Sequence, residues 1–154
     1  MTDIVLTTDA FRPDGEIPVS CTCDGANRSP ALSWKGVPTD TKSLALIMDD
    51  PDAPAGTFTH WVICNMAPDR TSLREGVPGQ KTLDDGSVQG MNSFRRPGYA
   101  GPCPPPGKPH RYFFRLYALS SKLIPAPGDR ESLERAMKGH ILATGVLMGM
   151  YRRR

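Results

Sequence analysis

The sequence predicts a mainly β fold, two antiparallel sheets packed as a sandwich with Greek-key connections and a C-terminal α-helix. Three observations carry this. Several runs are rich in β-branched and aromatic residues and have strand lengths. The 15 glycines and 16 prolines are scattered between those runs with no triplet period, as turns are. Helical spacing of apolar residues is confined to the C-terminal stretch.

Taken in order, Ile17-Pro18-Val19-Ser20-Cys21-Thr22-Cys23 alternates weakly and reads as a strand. Ala31-Leu32-Ser33-Trp34 is a short strand before a Gly36-Val37-Pro38 turn. Ser43-Leu44-Ala45-Leu46-Ile47-Met48-Asp49 reads as a buried strand that ends in acids. Thr59-His60-Trp61-Val62-Ile63-Cys64-Asn65-Met66 is a second. The segment 67–109 is mostly loop, with a short strand expected at 87–92. His110 to Leu119 is the longest strand run. Asp129 then caps a helix starting near Arg130, and Leu133, Ala136, Met137, His140, Ile141, Thr144, Met148 and Tyr151 continue at helical spacing. Gly139, Gly145 and Gly149 weaken that helix, so packing on the sheet must hold it.

The 154 residues, 38% hydrophobic and 23% charged, fit one domain with a core of its own. A net charge of +3, no more than Arg152-Arg153-Arg154 supplies, gives no reason to expect nucleic acid. Met1-Thr2-Asp3-Ile4 has neither a basic n-region nor an apolar h-region. The apolar stretch Ile141 to Met150 is too short to span a bilayer, so a cytoplasmic location is expected. In that compartment Cys21, Cys23, Cys64 and Cys103 should be free thiols, since no C-x-x-C pair or zinc spacing is present.

The chemistry concentrates in two places. Asp50-Pro51-Asp52-Ala53-Pro54 is followed by His60-Trp61, and the Gly98–Pro109 stretch runs into His110-Arg111-Tyr112. In an extended chain Asp50 and Asp52 share a side, and so do His110 and Tyr112. An imidazole beside a carboxylate is driven toward its doubly protonated form, which donates from both nitrogens and suits a phosphate oxygen. On this reading His60 and His110 donate to phosphate, Tyr112 adds a hydroxyl, and Asp50 and Asp52 orient the rings or receive an amine. Trp61 and Tyr117 belong to the core, and His140 to the helix stripe.

D-P-D-A-P with a nearby H-W, then G-Y-x-G and P-P-x-G-x-x-H-R-Y-F-F-x-L-Y-A-L, resembles the phosphatidylethanolamine-binding protein family in its bacterial and archaeal Raf-kinase-inhibitor-like branch. The similarity runs from about Ala10 to Tyr151. It implies one small anion pocket formed by Asp50, Asp52, His60, Pro104, Pro105, His110 and Tyr112, with Gly101 and Cys103 close by. It also implies a cis Ala53–Pro54 bond, a homodimer and recognition of phosphate-type head groups; the first reading is binding by charge and geometry without turnover, with no cofactor or metal expected. Some members of the family bind kinases or proteases. Cys103 stands where a small residue is common in the family. Two other classes are compatible with the same residues. One is a phosphoester hydrolase using the Asp and His groups or a metal they hold, although no H-E-x-x-H or G-x-S-x-G is present. The other is an inhibitor or scaffold acting through exposed loops such as 69–85.

Overall fold

The computed structural model describes residues 2–154. Nine strands form two sheets: β1 (Thr2–Asp3), β2 (Val5–Thr7), β3 (Leu32–Lys35), β4 (Ser43–Asp50), β5 (Phe58–Met66), β6 (Ser72–Leu73), β7 (Val88–Gln89), β8 (His110–Leu119) and β9 (Ile141–Tyr151). The large sheet has the order β1-β9-β8-β4-β5-β7 and is antiparallel except where β1 runs parallel to β9. The small sheet, β2-β3-β6, is antiparallel throughout. One helix, α1 (Arg130–Met137), lies between β8 and β9 in the chain.

β4 is buried along its whole length, which explains why Leu44-Ala45-Leu46-Ile47-Met48 shows no alternation. Its two faces serve two different layers. Leu44, Leu46 and Met48 join Trp61, Ile63, Phe114 and Leu116 against Leu6, Leu32 and Trp34 of the small sheet. Ala45 and Ile47, with Val62 and Cys64, pack on Leu133 and Met137 of α1. The molecule is therefore small sheet, large sheet, helix. Each fully buried large side chain stabilises it by about 1.5–3 kcal/mol.

The expected antiparallel sheet pair is present, and β3, β4, β5 and β8 fall where the sequence places them. Asp129 caps α1 as expected, accepting from the Ser132 N–H at 2.8 Å. The helix nevertheless stops at Met137, and the expected continuation to Tyr151 is a strand. Ala143, Gly145, Leu147, Gly149 and Tyr151 are buried at a period of two, and the segment pairs with β8 along nearly its full length. The glycines belong to this arrangement. A Cβ at Gly145 would lie 2.6 Å from the Ile4 carbonyl oxygen, and one at Gly149 would lie 2.7 Å from both Phe11 and Ile17. They let the N-terminal segment cross closely over the sheet. His140 consequently leaves the apolar stripe and is exposed, with Nδ1 3.3 Å from the Ser120 hydroxyl.

Three further expectations are corrected. Residues 17–23 form a short 3-10 turn at Val19–Cys21 rather than a strand, because their polar groups are used in turn hydrogen bonds to Pro18 and Val19. Cys23 and Cys103 form a disulfide across 80 residues of chain, while Cys21 and Cys64 are free and buried as expected. Among the described residues the cis peptide is Ile124–Pro125, so Ala53–Pro54 is trans.

Candidate anion-binding site

The inner face of the large sheet changes character at one end. Along β4 the apolar series Leu44, Leu46, Met48 is succeeded by Asp50, and along β8 the series Leu116, Phe114 leads to Tyr112 and His110. Strand parity thus carries an acid, a phenol and an imidazole to the same side as the core. His60 arrives by a different route. β4 pairs Met48 with Trp61 and then Asp49 with Thr59, so His60 is an extra residue in β5. This bulge turns its ring to the inner face although regular alternation from Trp61 would send it to the helix side.

These groups line a cavity of about 210 Å³. Phe58, Phe94 and Pro54 form one apolar wall, and Cys103, Pro104 and Pro105 another. Phe94 packs edge-on against Phe58, with ring centroids 4.8 Å apart. Larger hollows exist on the surface, such as one of about 400 Å³ bordered by Arg70, Glu75 and Asp84, but that one contains no imidazole and no buried acid.

The polar wiring is specific. His110 Nδ1 donates to Asp50 Oδ2 at 2.7 Å, and Asp50 is 3% exposed. Asp50 Oδ1 accepts from the Asp52 backbone N–H at 2.8 Å, which closes the turn after β4. His60 Nδ1 donates to the Ala100 carbonyl at 2.6 Å, and its ring lies 5.3 Å from that of Tyr112. Burial lowers the pKa of His60, outweighing the Ala100 carbonyl and the Asp50 charge, which act in the opposite direction. His60 is therefore neutral near pH 7, not the imidazolium expected from the sequence. With the proton on Nδ1, its Nε2 presents a lone pair. Burial, followed by the Asp50 charge, pushes the Tyr112 phenol well above its ordinary range. That hydroxyl is fully buried beside the Asp50 carboxylate but makes no hydrogen bond of good geometry. An orphaned buried hydroxyl costs about 1–3 kcal/mol, which a bound acceptor would recover.

The remaining expected residues are placed as follows. Pro104 and Pro105 line the cavity, and so does Cys103. Gly101 lies behind the wall: its N–H donates to Asn27 Oδ1 at 2.8 Å, and a Cβ there would sit 2.0 Å from the Cys21 carbonyl oxygen. Asp52 is on the outer side, because the chain turns at Pro51 and does not stay extended. It takes two bonds from the Arg111 guanidinium and one from the Arg111 backbone N–H, each 2.9 Å. These bonds hold its carboxyl down at about 2. Sequence reasoning missed Phe58 and Phe94, the Cys23 and Asn27 supports, and Arg111 as the partner of Asp52. Arg111 alone had a legible signal, since it sits between two inward residues of β8 and must face out. Among the described residues no Lys or Arg lines the cavity, and no cluster of three or more His, Cys, Asp or Glu side chains could hold a metal.

The phosphatidylethanolamine-binding protein family profile matches residues 7–152. A UPF0098 protein of Methanothermobacter thermautotrophicus is 57% identical over 149 residues, covering 96% of this chain and 98% of its own length. A crystal structure from Chlamydia trachomatis, described as a candidate phosphatidylethanolamine-binding protein homolog, is 39% identical with a TM-score of 0.89 and full coverage of both chains. E. coli YbcL, described as a new member of the mammalian family, is 32% identical with a TM-score of 0.90, covering 99% of this chain and all of its own. With a profile that spans nearly the whole chain and neighbours that share its fold end to end, this chain belongs to the phosphatidylethanolamine-binding protein family.

Proposed function

We propose that the chain binds a small phosphate-type oxyanion in the cavity between β4, β5, β8 and the 98–109 segment. The reading is one of binding without turnover. The observation that carries it is the Tyr112 hydroxyl, buried beside the Asp50 carboxylate without a well-formed hydrogen bond, next to two imidazoles whose Nδ1 atoms are engaged by Ala100 and Asp50. Tyr112 donates to an oxyanion oxygen. His110 donates from Nε2 when it carries its second proton, while Asp50 fixes the ring through Nδ1. The apolar walls strengthen these bonds by excluding water. Head groups of phospholipids and free phosphate share this chemistry.

Calorimetry with inorganic phosphate tests the reading. Saturable binding is expected, together with about a tenfold loss of affinity in Tyr112→Phe, the size expected of one hydrogen bond to a charged group. Unchanged affinity in that variant, or no saturable binding in the intact protein, would sink it.

A further inference from the structure

The proline-rich wall of the cavity has little backbone with which to fasten itself. Five of the eight residues from Pro102 to Pro109 are prolines (Pro102, Pro104, Pro105, Pro106 and Pro109) and have no N–H to donate. Of the remaining amides, that of Gly107 reaches the Arg153 carbonyl at a long 3.3 Å. The backbone bonds that tie this wall to the segment behind it, Gly101 N–H to Asn27 and Cys23 N–H to the Pro102 carbonyl, both stop short of Cys103. Residues 105–109 are exposed. Between Pro102 and the start of β8 the side-chain bridge from Cys103 to Cys23 is the covalent tie.

That bridge is open to exchange. Cys23 and Cys103 are both half-buried, whereas the free thiols Cys21 and Cys64 are buried. Cys103 lines the cavity beside Pro104 and Pro105. The bridge joins two irregular segments: Cys23 follows the 3-10 turn Val19–Cys21, and Cys103 lies in a stretch without a strand. Neither cysteine belongs to the two apolar clusters that hold the sheets and the helix together. Opening the bridge therefore frees a wall and leaves the sandwich closed.

We propose that the Cys23–Cys103 bridge is a thiol–disulfide exchange site at which a dithiol loosens the loop wall and so weakens ligand binding. One thiolate of the dithiol attacks a bridge sulfur and forms a mixed disulfide; the other cysteine leaves as a thiolate and takes up a proton. The second sulfur of the dithiol, having given up its proton, then closes the reagent's own disulfide and releases the second cysteine. Two electrons pass to the bridge, which becomes two thiols, and the dithiol is oxidised. With Cys103 released, Pro104 and Pro105 are no longer held against the side chains of β8. Ligand and bridge are linked in both directions: whatever factor reduction costs the ligand, a bound ligand returns to the bridge as resistance to reduction. The inference rests on the oxyanion reading of the cavity and adds its control by redox state.

Dithiothreitol and inorganic phosphate test this on the intact chain. Under native conditions dithiothreitol should reduce the bridge, and alkylation read by mass spectrometry should label Cys23 and Cys103 while Cys21 and Cys64 stay protected. The circular dichroism of the sheets should persist. By calorimetry the reduced protein should bind phosphate about tenfold more weakly, the scale of ordering one or two extra side chains on binding. Phosphate at concentrations that saturate both forms should make the midpoint potential of the bridge about 30 mV more negative, the same tenfold for a two-electron couple. Replacing Cys23 and Cys103 together by Ser should reproduce the reduced affinity and abolish the response to dithiothreitol. Equal or tighter phosphate binding by the reduced protein, a midpoint that phosphate does not move, or a bridge that resists reduction until the sheets melt would each overturn the switch and leave the oxyanion site standing. No saturable binding by the oxidised protein would overturn both.

Discussion

The cavity has two walls built on different principles. The strand wall, carrying Asp50, His60, His110 and Tyr112, is positioned by the registers of β4, β5 and β8, whose residues are tied into the sandwich core. The loop wall, from Gly98 to Pro109, has no strand of its own. It is fastened from behind by the 20–27 segment. Cys23 is bonded to Cys103, the Cys23 N–H donates to the Pro102 carbonyl, Asn27 receives Gly101 N–H, and the Tyr99 hydroxyl donates to the Cys21 carbonyl. The difference teaches where the site is robust. Side chains on the strand wall move only if the sheet does, whereas the loop wall depends on a handful of local ties.

Those ties are the place to break the comparison. Replacing Cys23 and Cys103 together by Ser should destabilise the chain by about 2–4 kcal/mol in urea denaturation, since the bridge closes a long loop of the unfolded state. The same change should weaken phosphate binding while leaving the circular dichroism of the sheets intact. Equal melts for wild type with and without a dithiol reductant would show that the bridge contributes nothing.

On the strand wall, Asp50→Asn should cut phosphate affinity by about tenfold or more, because His110 loses the charged partner that orients its ring. Calorimetry that finds the affinity unchanged would remove Asp50 from the site. Tyr112→Phe should separate folding from binding. The ligand-free protein should gain about 1 kcal/mol by losing an unsatisfied buried hydroxyl. A melt that shows destabilisation would mean the hydroxyl has a partner after all.

The smallest effect should come from the outer face. Asp52 has its pKa depressed to about 2, so its contribution is complete above the ordinary carboxylate value near 4 and is lost as pH falls from there toward 2. The pair is largely solvent-exposed, so Asp52→Asn should lower the Tm by only about 2 °C or less at pH ~7 and leave phosphate affinity unaltered. A loss of binding comparable to that of Asp50→Asn would put Asp52 back in the pocket.

Most of the strand wall was legible in the residues themselves, whereas Pro104, Pro105 and Cys103 of the loop wall were expected only through the family resemblance and the ties that fasten that wall were not legible. The alternation His110, Tyr112, Phe114, Leu116 fixes which side chains of β8 face inward, and the acids at the end of β4 fall at the sheet's edge by length alone. The Asp50–Asp52 pairing failed because Pro51 begins a turn, ending the alternation on which the expectation rested. The bridge is not legible because Cys23 and Cys103, 80 residues apart and outside any C-x-x-C pattern, become neighbours only through tertiary packing. β9 was misread because Ala143, Gly145, Leu147, Gly149 and Tyr151 are hidden within a second, accidental period near that of a helix. The neighbours that settle the matter, β8 and the crossing N-terminal segment, are far away in sequence.

The supernumerary residue in β5 has a further consequence. Because His60 occupies a position that regular ladder pairing does not need, losing one codon there would heal the ladder and let Thr59 and Trp61 become consecutive. The sandwich would keep its interior, but the imidazole would be gone. On the oxyanion reading, a single deletion would then separate recognition from folding.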